Sequence, residues 1–340
     1  MGLLINGVWD AEATMIPIES GRFVREPAAF RDIVTADGAS GFKAESGRYH
    51  LYVAFHCPWA WRTILYRRLK RLEDVISMTI AVPNNRREGW QFGDYAGGCT
   101  PDIVNGFTHL YQAYTATRAD YTGTVSVPVL WDKQRGVIVN NESPDIIRML
   151  NSAFDACTDA REDYYPLALR AEIDAINQRV YDGVNNGVYR VGLARTQDAY
   201  DEAFDALFAT LDWLDARLSE ALEKPTMIFL HHVPFRTGVT HFDEAVFHGA
   251  EAFAAVVGRH PQVERVVAGH VHRSMSMRWA GTVFSTCPST AHQFVLDLSP
   301  EKHVDYALEP PGFQLHEWRA GQGLLTHTLP IGDYPMHRLR

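Results

Sequence analysis

The stretch from Tyr49 to Ala60, YHLYVAFHCPWA, decides how the first part of the chain folds. Its apolar beginning, Tyr49 to Phe55, predicts a buried strand. Pro58 suits the first turn of a helix, and the amphipathic run from Trp61 to Leu72 continues that helix. The stretch therefore predicts a strand that leads directly into a helix, with Cys57 at the junction.

Further strands and a helix follow in an order that indicates the fold. Ile76 to Val82 predicts a second strand, and Val125 to Trp131 with Val137 to Asn140 predicts a hairpin. A further helix opens at Glu142-Ser143. Strand, helix, strand, hairpin and helix in this order are typical of a thioredoxin-like unit.

Cys57 is a candidate nucleophile. A cysteine at a helix N-terminus faces free amides and the positive end of the helix dipole, which lower its pKa and favour the thiolate. Arg62 and His56 are nearby in sequence and would add positive charge. The alternative is a buried, unreactive cysteine.

Two dipeptides complete a site for a peptide thiol. Val127-Pro128, at the start of a strand, would expose backbone groups to an extended peptide ligand if its bond is cis. Glu142-Ser143 opens a helix, where side chains and amides can hold the amino-acid end of a γ-glutamyl group. Each dipeptide is a weak signal alone, and the order and spacing of the two strengthen it.

The pattern changes twice after this unit. From about Ala153 to Leu222 it is helical, and Thr196 caps a helix with an apolar stripe that we expect to be buried. After Pro225 short β-type runs dominate. The stripe is Tyr200, Phe204, Leu207, Phe208, Leu211, Leu214 and Leu218; the runs are 226–230, 265–268, 282–286, 293–298, 313–318 and 324–329, with one helix predicted at about 242–259.

Composition excludes several classes of protein. With 340 residues, 46% hydrophobic and 21% charged, the chain is globular, of two or three domains, and neither disordered nor fibrous. Its net charge of −9 argues against a nucleic acid or an anionic membrane as the main partner. No apolar run is long enough for a membrane span, no secretory signal begins the chain, and the four cysteines form no CxxC pair. We expect a cytoplasmic protein.

The first part of the chain, residues 1 to about 222, resembles the Xi class of glutathione transferases, the glutathionyl-hydroquinone reductases. The resemblance is carried by several separate stretches: GRYHLYVAFHCPWAWRT, GWQF, YTGTVSVPVLWDK, NNESPDIIRMLNSAFD and NNGVYRVGLARTQDAYDEA.

The resemblance implies an activity and a set of site residues. Cys57 would attack the sulfur of a glutathionyl-hydroquinone and release the hydroquinone, and a second glutathione would resolve the mixed disulfide. Tyr189 would donate its hydroxyl to the quinol oxygen. The glutathione-binding residues would be Trp90, Val127, Glu142 and Ser143.

The chain departs from this family in two respects. Trp61 stands where these proteins usually carry histidine, which puts the tuning of the thiolate in doubt. The family's helical domain normally continues further and supplies another active-site tyrosine and the dimer surface. Here the sequence leaves the family between Leu211 and Glu223.

Histidines are concentrated in the second part of the chain. Only three of the 15 precede residue 230. His231-His232 and the pair His270 and His272 each follow a predicted strand, so they can converge on one cleft and bind a divalent metal. For the other histidines a surface or core position is the simpler interpretation.

Residues 212 to 330 resemble the C-terminal half of calcineurin-like metallophosphoesterases, in the branch that hydrolyses cyclic nucleotides and glycerophosphodiesters. The resemblance implies that His231 and His270 bind one metal and His272 a second. The family's upstream motifs, among them an Asp-x-His and the bridging aspartate, are missing, so a dinuclear phosphodiesterase is not expected. The stretches that carry the resemblance are PTMIFLHHVPFRTGVTHFD, HPQVERVVAGHVHR, GTVFSTCPSTAHQFVLDL and YALEPPGFQLHEW.

These observations predict a composite α/β chain. We expect an N-terminal extension (1–45), a thioredoxin-like glutathione-binding domain (46–152), a truncated all-α transferase domain (153–222) and a partial α/β metallophosphoesterase sandwich (223–340). The predicted ligands are glutathione, with one Zn, Mn or Fe ion as a further possibility. The predicted function is reduction of glutathionyl-hydroquinones, and the alternatives are hydrolysis of a phosphodiester or an inactive chimera. Unpaired strand edges would favour a homo-oligomer.

Overall fold

The structure is a computed structural model that describes residues 2–13, 17–55, 57–82, 87–95, 98–243, 249–290, 292–300 and 305–331. The chain divides into two compact units, Met1–Thr210 and Leu211–Arg340. In the described ranges, no helix is both long and apolar enough to cross a membrane.

Among the residues that the structure describes, the first unit contains ten short strands and five complete α-helices, and a sixth α-helix continues past its end. The strands are β1 (Leu3–Ile5), β2 (Val8–Asp10), β3 (Ile18–Glu19), β4 (Arg22–Phe23), β5 (Val34–Thr35), β6 (Phe42–Lys43), β7 (Tyr49–Val53), β8 (Ser77–Ile80), β9 (Val129–Asp132) and β10 (Val137–Asn140); the helices are α1 (Pro58–Leu69), α2 (Tyr111–Thr117), α3 (Ser143–Ser152), α4 (Arg170–Val180), α5 (Gly187–Gly192) and α6 (Gln197–Ser219).

The central sheet of this unit has the strand order β10-β9-β7-β8. Strand β7 pairs parallel with β8 and antiparallel with β9, and β9 forms a hairpin with β10. All five residues of β7 are buried, as its apolar sequence predicts, and helices α1 and α3 pack against each other. The thioredoxin-like prediction is confirmed for this unit.

A buried ion pair joins the start of β7 to the end of β9. The guanidinium of Arg48 donates to the carboxylate of Asp132 at 2.6 Å, and Asp132 is fully buried. The pKa of the Arg48 guanidinium is raised because Asp132 accepts its hydrogen bonds. The backbone amide of Gln134 also donates to Asp132, at 2.9 Å, so the carboxylate binds the hairpin turn as well.

The apolar stripe of α6 is not buried as the sequence analysis expected. Tyr200, Phe204 and Phe208 are 38–45% exposed and contact one another in a row. The buried face of α6 in this unit instead carries small side chains, among them Thr210, and a Cβ on Gly183 would lie only 2.1 Å from the Thr210 hydroxyl. Close backbone packing through small residues therefore leaves the aromatic side chains outside.

The second unit is built around another four-stranded sheet, ordered β11-β12-β14-β13. The first three of these strands are parallel and β13 is antiparallel at one edge. The elements are β11 (Thr226–Leu230), α7 (Thr240–Asp243), α8 (Ala250–Gly258), β12 (Val263–Ala268), β13 (Met275–Trp279), β14 (Thr282–Thr286), β15 (Gln293–Phe294), β16 (Tyr306–Ala307), β17 (Gly312–Arg319) and β18 (Gly323–Pro330).

The helix predicted at about 242–259 is not continuous, although its first two residues belong to α7. Helix α8 begins at Ala250, after Gly249 in a left-handed conformation with φ of 86°. Such a conformation is open to glycine and interrupts a helix. Residues 244–248 of the predicted helix lie outside the described residues.

The Arg48 pair gives a stability prediction. Replacing Arg48 by Met leaves Asp132 as a buried, unpaired charge, and we expect the free energy of unfolding of the first unit to fall by about 3–5 kcal/mol. Urea denaturation measures this loss.

The matched control is Arg68→Met. Arg68 also pairs with an acid, Glu73, but its side chain is 82% exposed, so the expected loss is below about 1 kcal/mol. Equal losses for the two variants would contradict the assigned role of the buried pair.

Candidate active site and histidine cluster

Cys57 lies between the end of β7 and the first residue of α1. It is the N-cap residue, with φ of −96° and ψ of 112°, and Pro58 begins the helix behind it. Its thiol donates to the carbonyl oxygen of Val127, with an S···O distance of 3.6 Å. The bond between Val127 and Pro128 is cis. The structure thus brings together two of the predicted site segments.

The electrostatic environment of Cys57 differs from the sequence-based expectation of a lowered pKa. Burial raises the pKa of the Cys57 thiol, and the backbone amides of Ala60 and Trp59 lower it by less. The thiol is packed against the protein core, so the thiolate loses hydration, which two amides do not replace. The environment therefore favours the thiol form of Cys57, which donates to Val127. His56 lies outside the described residues.

Glu142 and Ser143 lie at the N-terminus of α3, as predicted. Glu142 is the N-cap residue, and its backbone amide donates to the side-chain oxygen of Asn140 at 2.7 Å. The Ser143 side chain is buried, yet its hydroxyl has no hydrogen-bond partner in the described part of the chain. A buried polar group without a partner is costly, which marks this position for a ligand.

Three arginine side chains act on the charge of the Glu142 carboxylate, and one of them, Arg31, is paired with Asp145. Burial raises the pKa of Glu142, while Arg31, Arg62 and Arg25 act in the opposite direction. A carboxylate among three guanidinium groups can bind the ammonium end of an amino acid while the arginines attract its carboxylate.

Trp90 and Tyr189, the other predicted residues of this site, have different surroundings. Trp90 is buried, and its indole N–H donates to the carbonyl of Val125 at 3.1 Å, two residues before Val127. Tyr189 lies on α5 and is 41% exposed. The guanidinium of Arg25 lies 4.8 Å from the centre of its ring.

Sequence analysis missed an aromatic and cationic cluster beside the thiol. Arg25 also lies 6.0 Å from the ring of Trp59, and it donates to the side-chain oxygen of Asn186 at 2.6 Å. The guanidinium of Arg62 lies 4.6 Å from the Trp59 ring, and Tyr181 packs edge-on against the same ring. Trp59 was visible within the Cys-Pro-Trp-Ala motif, whereas Arg25 belongs to a stretch without any periodic pattern.

Trp61 takes no part in proton transfer. It stands where the family that residues 1 to about 222 resemble usually has histidine. Its indole N–H donates to the carbonyl of Phe55, and its ring stacks on the Phe55 ring at 5.5 Å. An indole has no basic nitrogen, so Trp61 contributes packing at the end of the β7 segment.

The second unit brings three histidines together. The ligating atoms of His231, His232 and His270 all lie within 4.8 Å of one another. His272, which was predicted to bind a second metal, is not part of this group. Its ring stacks on Phe294 at 4.4 Å. His232, which the resemblance did not assign as a metal ligand, takes part instead.

Comparison with known proteins gives matches for both parts of the chain. The Glutathione S-transferase, N-terminal domain family matches residues 56–153. The glutathionyl-hydroquinone reductase PcpF of Sphingobium chlorophenolicum is 50% identical over 221 residues, covering 64% of this chain and 68% of PcpF. The glutathione-bound structure of YqjG, a glutathione transferase homolog from Escherichia coli K-12, has a TM-score of 0.55 at 45% identity, covering 64% of this chain and 67% of that one.

The C-terminal match is to another class of protein. A probable glycerophosphodiester phosphodiesterase, GpdQ of Arcobacter nitrofigilis, is 37% identical over 123 residues, covering 36% of this chain. This chain spans less than half of that relative, 45%. The predicted composite of two families is confirmed. With two thirds of the reductase's length matched at 50% identity, the chain belongs to the glutathionyl-hydroquinone reductases of the Xi class of glutathione transferases, and its C-terminal part is similar to phosphodiesterases.

Proposed function

We propose that this chain reduces glutathionyl-hydroquinones, with Cys57 as the nucleophile and glutathione as the reductant. The observation that carries the proposal is the contact of the Cys57 thiol with the carbonyl of Val127 at the N-terminus of α1. The N-terminus of α3, in the same unit, holds the buried Ser143 hydroxyl, which has no partner among the described residues. Helix N-termini and the backbone beside a cis-proline are the groups that a short, acidic thiol peptide requires.

The reaction follows from thiol chemistry. The Cys57 thiolate attacks the sulfur of the glutathionyl-hydroquinone, the carbon–sulfur bond breaks, and the hydroquinone leaves after its carbon gains a proton. Cys57 is then joined to glutathione in a mixed disulfide. A second glutathione thiolate attacks this disulfide, glutathione disulfide leaves, and the Cys57 thiolate is regenerated. Electrons balance because the thioether sulfur of the substrate and the thiol sulfur of glutathione together lose two electrons in forming the disulfide, while the substrate carbon gains two electrons as its bond to sulfur is replaced by a bond to hydrogen.

In this proposal, different residues near Cys57 bind different parts of glutathione. Ser143 and Glu142 hold the γ-glutamyl end of glutathione, and the backbone of Val127 pairs with the cysteinyl residue of glutathione. Trp90 donates to the Val125 carbonyl and so holds the segment that contains Val127. These roles suit the residues present, because Ser143 has an unused hydroxyl and Glu142 lies among arginines.

The quinol part of the substrate belongs beside Tyr189. Its hydroxyl donates to a quinol oxygen, and Arg25 stabilises the negative charge that develops on the ring when the carbon–sulfur bond breaks. The Trp59 ring, which Arg25 and Arg62 both approach, offers a flat apolar surface to an aromatic substrate.

The C-terminal part is a partial α/β metallophosphoesterase sandwich in this proposal, with a divalent Zn, Mn or Fe ion as its ligand. Its support is the parallel order β11, β12, β14 with histidines at the ends of the first two strands. Hydrolysis of a phosphodiester is the second candidate function, favoured by the three clustered histidines. We also propose that the chain divides into the four parts predicted from the sequence, 1–45, 46–152, 153–222 and 223–340. We further propose that it is cytoplasmic and that it forms a homo-oligomer.

Replacing Cys57 by Ser tests the main proposal. We expect turnover of glutathionyl-hydroquinone with glutathione to fall at least a hundredfold, because serine forms no mixed disulfide. Cys157→Ser, another partly buried cysteine of the same unit, is the control and retains full turnover. Unchanged turnover in the Cys57 variant would refute the proposal. A phosphodiesterase activity that survives this variant would favour the second candidate.

Replacing Ser143 by Ala tests the glutathione site. We expect KM for glutathione to rise about tenfold, which corresponds to the loss of one hydrogen bond to a charged group. Ser152→Ala, at the exposed end of the same helix, is the matched control. Saturation kinetics measures both. An unchanged KM in the Ser143 variant would remove this residue from the site.

The raised thiol pKa predicts the pH dependence of Cys57. Because burial favours the thiol, the thiolate fraction of the free protein increases with pH throughout the neutral range and stays small below the thiol pKa. The rate of alkylation by iodoacetamide at Cys57, followed by mass spectrometry, should rise about tenfold per pH unit between about pH 6 and 8. A constant rate over this range would show that the thiol is already ionised.

A further inference from the structure

A hairpin near the N-terminus is fixed to α5, which carries Tyr189, and to α6. Strands β3 and β4 pair antiparallel, and β4 contacts α5. The backbone amide of Arg195, between α5 and α6, donates to the carbonyl of Gly21 in the hairpin turn at 2.9 Å. The guanidinium of Arg22 forms an ion pair with Glu202 of α6 at 2.7 Å. The residues that follow β4 therefore start from an anchored position.

Arg25 follows β4, and its guanidinium lies among aromatic rings. It is 5.7 Å from the ring centre of Phe23, 6.0 Å from that of Trp59 and 4.8 Å from that of Tyr189. Its Nε donates to the side-chain oxygen of Asn186, the N-cap residue of α5, at 2.6 Å. A neutral amide and three rings thus orient this cation.

The charge of Arg25 has no paired carboxylate among the described residues. Arg22 and Arg31, in the same stretch of chain, both form ion pairs with acids. Arg25 also acts on the charge of Glu142 less than Arg31 and Arg62 do. Of the five N–H donors of the Arg25 guanidinium, only Nε–H has a partner in the described part of the chain. Its two terminal amino groups are therefore open to a ligand.

A second cation lies on the same indole ring. The guanidinium of Arg62 is 4.6 Å from the ring centre of Trp59, which is two residues from Cys57. In a chain with a net charge of −9, two guanidinium groups beside a thiol make a local positive region. Such a region attracts an anionic ligand, and Arg25 is on the side of Tyr189, where the quinol part of the substrate is proposed to bind.

We propose that Arg25 makes this site selective for glutathionyl-hydroquinones whose ring carries a carboxylate next to a hydroxyl group. The two terminal amino groups of a guanidinium bind a carboxylate through two parallel hydrogen bonds. The bond from Nε to Asn186 leaves these two groups available. This inference rests on the proposed function of Cys57, and it adds the class of hydroquinone that the site prefers.

The position of Arg25 determines which ring substituent it reaches. With the substrate sulfur at Cys57, the ring extends toward Tyr189, whose hydroxyl donates to a quinol oxygen. Because Arg25 lies 4.8 Å from the ring of Tyr189, it reaches the substituent adjacent to that oxygen. A carboxylate there accepts from Arg25, and the neighbouring hydroxyl accepts from Tyr189, so one substrate uses both side chains.

Binding to the unreactive variant Cys57→Ser tests the proposal without turnover. Calorimetric titration compares the glutathione thioethers of 2,5-dihydroxybenzoate and of 1,4-dihydroxybenzene, which differ by one carboxylate. We expect the carboxylated conjugate to bind about tenfold more tightly, as a charge-assisted bidentate contact allows. Adding Arg25→Gln should remove this preference, and added sodium chloride should reduce it because the guanidinium is exposed.

Two further variants control for folding and for charge in general. Arg135→Gln removes another exposed arginine that lies on an aromatic ring, 4.5 Å from the centre of Phe42, and should retain the tenfold preference. Arg25→Lys keeps the charge and should retain part of the preference. Circular dichroism of each variant checks its folding.

Three results would overturn the proposal: equal binding of the two conjugates to the Cys57→Ser chain, an unchanged preference after Arg25→Gln, or an equal loss of affinity for both conjugates. The last result would assign Arg25 to a carboxylate of glutathione. In the reactive chain, the ratio of kcat/KM for the two conjugates should follow the ratio of affinities. A chain that prefers the carboxylated conjugate in binding and reduces neither would refute the proposed function of Cys57 alone, so the two failures remain distinct.

Discussion

The hydrogen bond from the Cys57 thiol to the carbonyl of Val127 joins the two segments on which the proposed active site depends. One segment is the buried strand β7, which ends just before Cys57, and the other is the cis Val127-Pro128 bond at the start of β9. Because β7 and β9 are neighbours in the sheet, the sheet fixes this contact. In the proposed site, the Val127 carbonyl that accepts from the Cys57 thiol belongs to the backbone segment where a peptide ligand would bind. One segment of chain therefore positions both the nucleophile and the ligand.

Burial affects two polar groups of this site, the Cys57 thiol and the Ser143 hydroxyl. It raises the pKa of Cys57 and so keeps the sulfur protonated, and it leaves the Ser143 hydroxyl without a partner. The unpartnered hydroxyl costs stability in the free protein, whereas the raised thiol pKa does so only at alkaline pH, where the unfolded chain loses the proton first. A bound glutathione would supply hydrogen bonds to Ser143, and the arginines that act on Glu142 would attract its carboxylates. The site is thus organised for a charged ligand before that ligand arrives.

Elements with a strong local pattern could be predicted from the sequence. The limits of β11 and β14 agree with their apolar runs, and the strand before Cys57 and the helix after it were recognised from a single motif. Features that depend on tertiary contacts could not be predicted. The burial that determines the thiol pKa comes from the surrounding core, and Arg25 reaches Tyr189 from a stretch with no periodic pattern. His232 lies beside His231 and His270, whereas His272 stacks on Phe294. This grouping accompanies the positive φ of His270, which the spacing of the histidines in the sequence does not reveal.

The central claim, that Cys57 carries the glutathionyl group during turnover, can be measured directly. The full chain is mixed with one equivalent of glutathionyl-hydroquinone in the absence of free glutathione, quenched with acid, digested and analysed by mass spectrometry. The account predicts one glutathionyl group on the peptide that contains Cys57, released hydroquinone in equal amount, and loss of the adduct when glutathione is added. A glutathionyl group on Cys99, Cys157 or Cys287 instead, or hydroquinone released without any adduct, would contradict it.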